Sequence, residues 1–308
     1  MITLSIGLPS FSPDDPGSWQ PLFDRARAAD AAGIDRVVVA DHVAYGEHLE
    51  AYSRPELGGV EGGTQPTGPD GHWLEPLMVL SAVASVTTRV RLATSILQAA
   101  LRRPAVLAKQ AATLDVLSGG RFDLGVGVGW QREEYEVAGL DFDNRGRLLD
   151  QTLLVCETLW QQQRAALDTP ELRFEAIHMM PKPRQPGGIP IWVSGTLNKA
   201  VVRRLARFGT RWILWGPAAA EPVDAIARMR AALADAGSDP AALEVSAPLR
   251  LVRDADGNAD LVATMDAVPA LVEGGVTDFR GALPAAKDVS TATEQFGEIV
   301  DAFRRAAR

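Results

Sequence analysis

Asp41 and His42 are adjacent and follow directly on the apolar run Arg36–Ala40. A histidine titrates near neutral pH and an adjacent carboxylate can orient or tune it, so the pair could move a proton beside a reacting centre. It could equally close a strand and cap the next turn, and the local sequence leaves the two readings level. A second candidate is Gly125-Val126-Gly127-Val128-Gly129. Alternating glycines let a flat ligand or a phosphate approach the backbone closely, although tight turns need glycine too. No Gly-Lys-Ser/Thr follows, so this is not a P-loop. A third is Ser194-Gly195-Thr196, just before a helix expected from Asn198. Hydroxyls and a glycine at a helix start can hold an anion, or can serve as a cap.

Other chemistries find little support. The four histidines, His42, His48, His72 and His178, form no His-Glu-x-x-His and no His-x-His on the first strand, so no metal site is expected. There is no Gly-x-Ser-x-Gly nucleophile elbow. The single cysteine, Cys156, falls on the apolar face of a helical segment and reads as a small buried hydrophobe. A net charge of −8 disfavours nucleic acid and anionic membranes as partners. The N-terminal MITLSIGLPSF lacks a basic flank and a cleavage site, and no apolar run reaches membrane-spanning length, so a cytoplasmic location is expected.

Positioning these residues requires strands that end at them. Short β-branched runs alternate with amphipathic helices throughout. Strands are predicted at Ile2–Leu8, Arg36–Ala40, Val90–Thr94, Phe122–Val126, Ile191–Ser194, Trp212–Trp215, Leu243–Leu249 and Val276–Arg280. Helices are predicted at Ser18–Ala32, Pro76–Val86, Pro104–Leu117, Asn144–Trp160, Asn198–Phe208, Pro222–Ala236, Asp260–Glu273 and Thr293–Ala306, with a short one near Glu133–Ala138. Two irregular stretches interrupt the alternation: Val43–Trp73 after the second strand and Gln161–Gly188 before the fifth. The first, with Tyr45, Tyr52, His72 and Trp73, and the second are both expected to shape a pocket. Eight strand-helix units predict a single α/β domain over 1–308, a (β/α)8 TIM barrel with these two insertions. An open doubly wound sheet fits less well, because the glycines come after the fourth strand and not the first. In a barrel the residues just past each strand's C-terminal end form the catalytic face, and all three candidates lie there.

The blocks AAGIDRVVVADH, RVRLATSIL, RRPAVLAKQAATLDVLSGGRFDLGVGVGWQREEYEVAGLDF, RGRLLDQTLLVCETLW and IPIWVSGT occur in this order and together closely resemble the luciferase-like monooxygenase superfamily. The resemblance spans nearly the whole chain. It implies a TIM barrel that binds either reduced FMN or the deazaflavin coenzyme F420. Asp-His at the second strand end is more similar to the F420-dependent branch, since flavin-using relatives tend to carry Glu-His-His there and Val43 stands in the third place.

The resemblance also implies roles. His42 would be catalytic, beside the reacting carbon. Asp41 would meet the ring region. Ser95–Ile96 matches the place of a non-prolyl cis peptide in a bulge backing the ring. Gln98, Val128, Gly129 and Trp130 would line the cofactor, and Ser194, Gly195 and Thr196 would hold its phosphate. Relatives that oxidise sugar phosphates carry a glutamate where Trp130 stands, so that substrate class is not expected and His42 should work without a glutamate partner. Arg211 departs from the family's Gly-Asp-Gly-Trp pattern and could meet the cofactor's phosphate or tail, or be a surface change. A small-molecule substrate, a homodimer and a separate cofactor reductase are the partners implied. Three functions follow: an F420-dependent oxidoreductase, an FMN-dependent monooxygenase using O2, or a non-catalytic cofactor-binding protein.

Overall fold

Val37, Val38 and Val39 are all buried, as strand residues must be when side chains on one face fill a barrel and those on the other meet helices. The computed structural model, which describes residues 1–57 and 59–308, closes eight such strands into a parallel barrel. In chain order they are β1 (Thr3–Gly7), β2 (Arg36–Val39), β3 (Arg91–Thr94), β4 (Phe122–Val126), β5 (Ile191–Gly195), β6 (Arg211–Leu214), β7 (Glu244–Leu249) and β8 (Asp278–Gly281). Each strand pairs with its neighbours in sequence, and β8 returns to β1 with Thr3 opposite Asp278. This is the (β/α)8 architecture.

The enclosing helices follow local signals. Gln20–Ala32 ends on Gly33, whose φ of 91° returns its N–H to Ala29 O. Pro76 and Pro104 open the next two, where a missing N–H costs nothing. Arg145–Gln161 buries Cys156 completely, and that burial pushes the thiol upward, away from reactivity. The helix predicted over 260–273 is broken into Leu261–Met265 and Val268–Glu273, because Pro269 cannot donate to an unbroken ladder. The last helix starts at Val289, not Thr293, because the Asp288 side chain accepts from Thr291 N and sets the cap earlier.

The interior of the barrel below its mouth is polar. Asp123 accepts from Arg36 Nε at 3.0 Å and from Arg91 Nε and Nη2 at 2.8 and 2.6 Å. Asp278 accepts from Arg36 Nη1, Ser5, Thr3 and Ser246. Such a layer is tolerable because each of these two carboxylates meets a guanidinium.

The two insertions differ in kind. Residues 43–73 fold over the mouth, with 3-10 turns at Leu49–Ser53 and Pro55–Leu57, and with His72–Trp73 pairing antiparallel to Phe11–Ser12. Gly58, within this stretch, lies outside the described residues. The segment before β5 is not irregular throughout: Ala165–Asp168 and Arg173–Ile177 form an antiparallel hairpin against the helix Arg145–Gln161. Its return, Lys182–Gln185, seals the barrel's lower end, where Gln185 Nε2 donates to Phe122 O and Asp115 Oδ1. None of it reaches the mouth cavity, so the expectation that this segment shapes the pocket is overturned.

Candidate active site

The strands deliver their C-terminal ends to one cavity of about 800 Å³. Asp41 and His42 follow β2 and line it. So do Ser95, Ile96 and Gln98 after β3, Val128, Gly129 and Trp130 after β4, and Ser194, Gly195 and Thr196 at the end of β5. Every site residue expected from the sequence is therefore brought together. Of the loop aromatics, Tyr52 lines the cavity, while Tyr45, His72 and Trp73 do not. Tyr45 instead packs between the His42 and Trp73 rings, at 4.5 and 4.6 Å between centroids.

The floor depends on glycine. The Ser95–Ile96 peptide is cis, and a Cβ at Gly127 would lie 2.9 Å from the Ile96 side chain. Gly129 has a φ of 72°, and a Cβ there would lie 2.0 Å from Gln98 Oε1. Only glycine leaves room for the Ile96 and Gln98 side chains at these positions.

His42 has a carboxylate partner, contrary to expectation. Glu134 Oε2 lies 3.1 Å from His42 Nδ1 and accepts from Gln98 Nε2 at 2.7 Å, while Oε1 accepts from Val43 N at 2.7 Å. The Glu134 side chain is fully buried. It comes from the short helix Arg132–Val137, whose Tyr135 donates its hydroxyl to Val128 O and so locks the helix to the glycine strip. With Nδ1 held by the carboxylate, the other ring nitrogen is the one left for the cavity.

Asp41 is held just as firmly. Arg102 grips it bidentately at 2.6 and 2.9 Å, and Gln98 N donates to Oδ2 at 2.9 Å. Arg102 also reaches Glu75 at 2.9 Å. Burial of the Arg102 guanidinium would lower its pKa, but Asp41 and Glu75 outweigh that and raise it. Neither Glu134 nor Arg102 was singled out from the sequence.

At the far side, Asn198 Oδ1 caps Ala200 N and Val201 N, and its amide donates to Thr196 O. Arg145 and Gly146 line the same end, and Arg145 Nε is buried without a partner. Arg211 is elsewhere: it starts β6 at the opposite end of the barrel and pairs with Glu244 at 3.0 Å, which makes it a surface change. Among the described residues, no group of three or more His, Cys, Asp or Glu is placed to hold a metal, and no helix is long and apolar enough to cross a membrane.

The family model described as luciferase-like monooxygenase matches residues 3–306. The chain belongs to that family. It is thus a luciferase-like oxidoreductase. An uncharacterised protein of Mycobacterium tuberculosis is 32% identical over 262 residues, covering 82% of this chain and 81% of that protein. The F420-dependent glucose-6-phosphate dehydrogenase of Kineococcus radiotolerans is 30% identical over 195 residues, covering 62% of this chain and 51% of that enzyme. Among solved structures, an F420-dependent secondary alcohol dehydrogenase superposes with a TM-score of 0.73 at 17% identity, covering 98% of this chain and 99% of that one. The FMN-bound oxygenating constituent of 3,6-diketocamphane monooxygenase from Pseudomonas putida gives 0.71 at 15%, covering 100% and 99%. These structural likenesses speak to the fold.

Proposed function

We propose that this luciferase-like protein is an F420-dependent oxidoreductase that moves hydride between the cofactor and a small organic substrate. The observation that carries the reading is the His42–Glu134 pair beside the glycine floor. Taking hydride from an alcohol carbon requires a group to take the hydroxyl proton, and a histidine oriented by a buried carboxylate is suited to that task.

The residues present fit a planar heterocycle with a phosphate. Ile96, Gly127 and Gly129 make a flat seat, and Gln98 Oε1 is buried without a partner beside it. Ser194, Gly195, Thr196 and the unpaired Nε of Arg145 suit the phosphate. When bound, the deazaflavin would supply a carbon able to accept or give hydride. His42 then takes or returns the substrate proton, and Glu134 balances the charge that the imidazole gains. Asp41, fixed by Arg102, holds the turn that carries His42. Tyr52 and Trp130 keep water from the reacting atoms.

Equilibrium titration with F420 and with FMN tests the reading. Tighter F420 binding is expected; clearly tighter FMN binding would overturn it in favour of an FMN monooxygenase, which oxygen uptake with reduced FMN and substrate would then reveal. Loss of turnover with retained cofactor binding in His42→Ala separates an enzyme from a cofactor-binding protein.

A further inference from the structure

Several arginines inside this protein are held by carboxylates, and Arg280 at the cavity floor is not. Among the described residues, Arg36, Arg91, Arg102 and Arg204 each reach a carboxylate within 3.0 Å. Arg280, the third residue of β8, does not. Its one recorded bond is Nη1 to Ser246 Oγ, at 3.3 Å. Asp278 lies two residues back on the same face of the strand, but both of its oxygens are taken by Arg36, Ser5, Thr3 and Ser246. The space that Arg280 faces is the mouth cavity on one side and a void of about 10 Å³ on the other. Burial lowers its pKa more than Asp278 restores it, and Arg36 adds repulsion, whereas the paired Arg36 and Arg102 are shifted upward.

A guanidinium with five donors and one long bond keeps most of its donors free for a ligand in the cavity that it lines. The cofactor phosphate is a poor candidate, because its proposed site lies at the end of β5, three strands round the barrel from β8. The walls near the mouth are aromatic: Tyr52 packs 5.3 Å from Trp130 and 6.0 Å from Trp215. Burial pushes the Tyr52 phenol up to about 12, so it adds no negative charge at neutral pH.

We propose that Arg280 is the anion-recognising group of the substrate subsite, and that the substrate is a small organic carboxylate whose planar, apolar body packs on Trp130 and Tyr52. The inference rests on the functional reading above only in giving the β5 end of the cavity to the cofactor.

Calorimetric titration of the protein, without added cofactor, with benzoate and with its neutral analogue benzamide tests this. The wild type should bind benzoate at least tenfold more tightly than benzamide. Arg280→Met should abolish that preference, and Arg280→Lys should keep part of it. Arg280→Met should also melt no lower than the wild type, since Arg280 has no carboxylate partner and only one long hydrogen bond to lose. Equal binding of benzoate and benzamide by the wild type would overturn the proposal whatever the variants do. So would a preference that survives in Arg280→Met, or a marked loss of melting temperature there. Titration of Arg280→Met with F420 and FMN should match the wild type; if it loses the cofactor and keeps benzoate, Arg280 serves the ring and the proposal fails. Wild-type failure to bind F420 would instead count against the functional reading alone.

Discussion

Glu134 Oε2 lies 3.1 Å from His42 Nδ1 and ties the turn after β2 to the short helix after β4. The carboxylate also takes hydrogen bonds from Gln98 and Val43, so three loops share one buried side chain. Glu134 is a positioning residue: it acts through His42. Glu134→Gln should lower turnover by about 10–100-fold with little change in KM, by analogy with the outer partners that orient metal-bound histidines. Nitrogen-15 chemical shifts of the His42 ring distinguish positioning from general destabilisation. The wild type should show the Nδ1-protonated tautomer, and the variant should lose that preference. His42→Ala should cost more, about 10²–10⁴-fold in turnover.

The Asp41–Arg102 pair predicts a non-additive result. The Asp41 side chain is fully buried and Arg102 is 13% exposed. Arg102→Met strands a buried carboxylate and should cost about 3–5 kcal/mol of stability. Adding Asp41→Asn to it should recover part of the loss, measured by urea unfolding; strict additivity would mean the pair does not interact.

Gly129 should tolerate no side chain. Its φ of 72° costs an alanine about 1–2 kcal/mol, and the new Cβ would meet Gln98 Oε1 at 2.0 Å. Gly129→Ala should therefore weaken cofactor binding more than tenfold while lowering the melting temperature only modestly. Unchanged cofactor affinity would count against the glycine strip as the ring's seat.

Asp30 gives a pH signature remote from the cavity. Its carboxylate accepts from Thr88 N, Arg89 N, Val90 N and the Thr88 hydroxyl. Burial alone would raise its pKa, but those hydrogen bonds together outweigh it and hold it below the ordinary value. A carboxyl depressed in the folded state stabilises above its unfolded pKa of roughly 3.9 and loses that contribution as pH falls through the lower, folded value. Asp30→Ala should cost roughly 1 kcal/mol at pH 7, kept small by solvent screening. The gap should close as pH drops below about 4.

Much of the fold was legible because a two-sided strand leaves a plain signature. The run Arg36-Val37-Val38-Val39 and the glycines after β4 each pointed to a strand end, and those ends met in one cavity. Glu134 was not legible. In Arg-Glu-Glu-Tyr-Glu it sits between Glu133 and Glu136, which stay nearer solvent, and composition cannot separate them. Only the helix phase fixed by buried Tyr135 turns Glu134 inward. The Asp41–Arg102 and Arg36–Asp278 pairs were hidden for another reason: their partners lie 61 and 242 residues apart, and they meet only through the pairing of neighbouring strands in the first case and the closure of the barrel in the second. The hairpin at Ala165–Ile177 escaped because it packs on one helix and has little apolar alternation of its own.

Cys156 is the only cysteine and is sealed inside the helix layer. To a thiol-reactive dye the folded protein is therefore blank, and any cysteine introduced on its surface becomes a unique attachment point. Glu56 is exposed on the segment that folds over the mouth and borders the cavity. A fluorophore placed there, in an otherwise wild-type background, would report ligand entry as a change in its own emission.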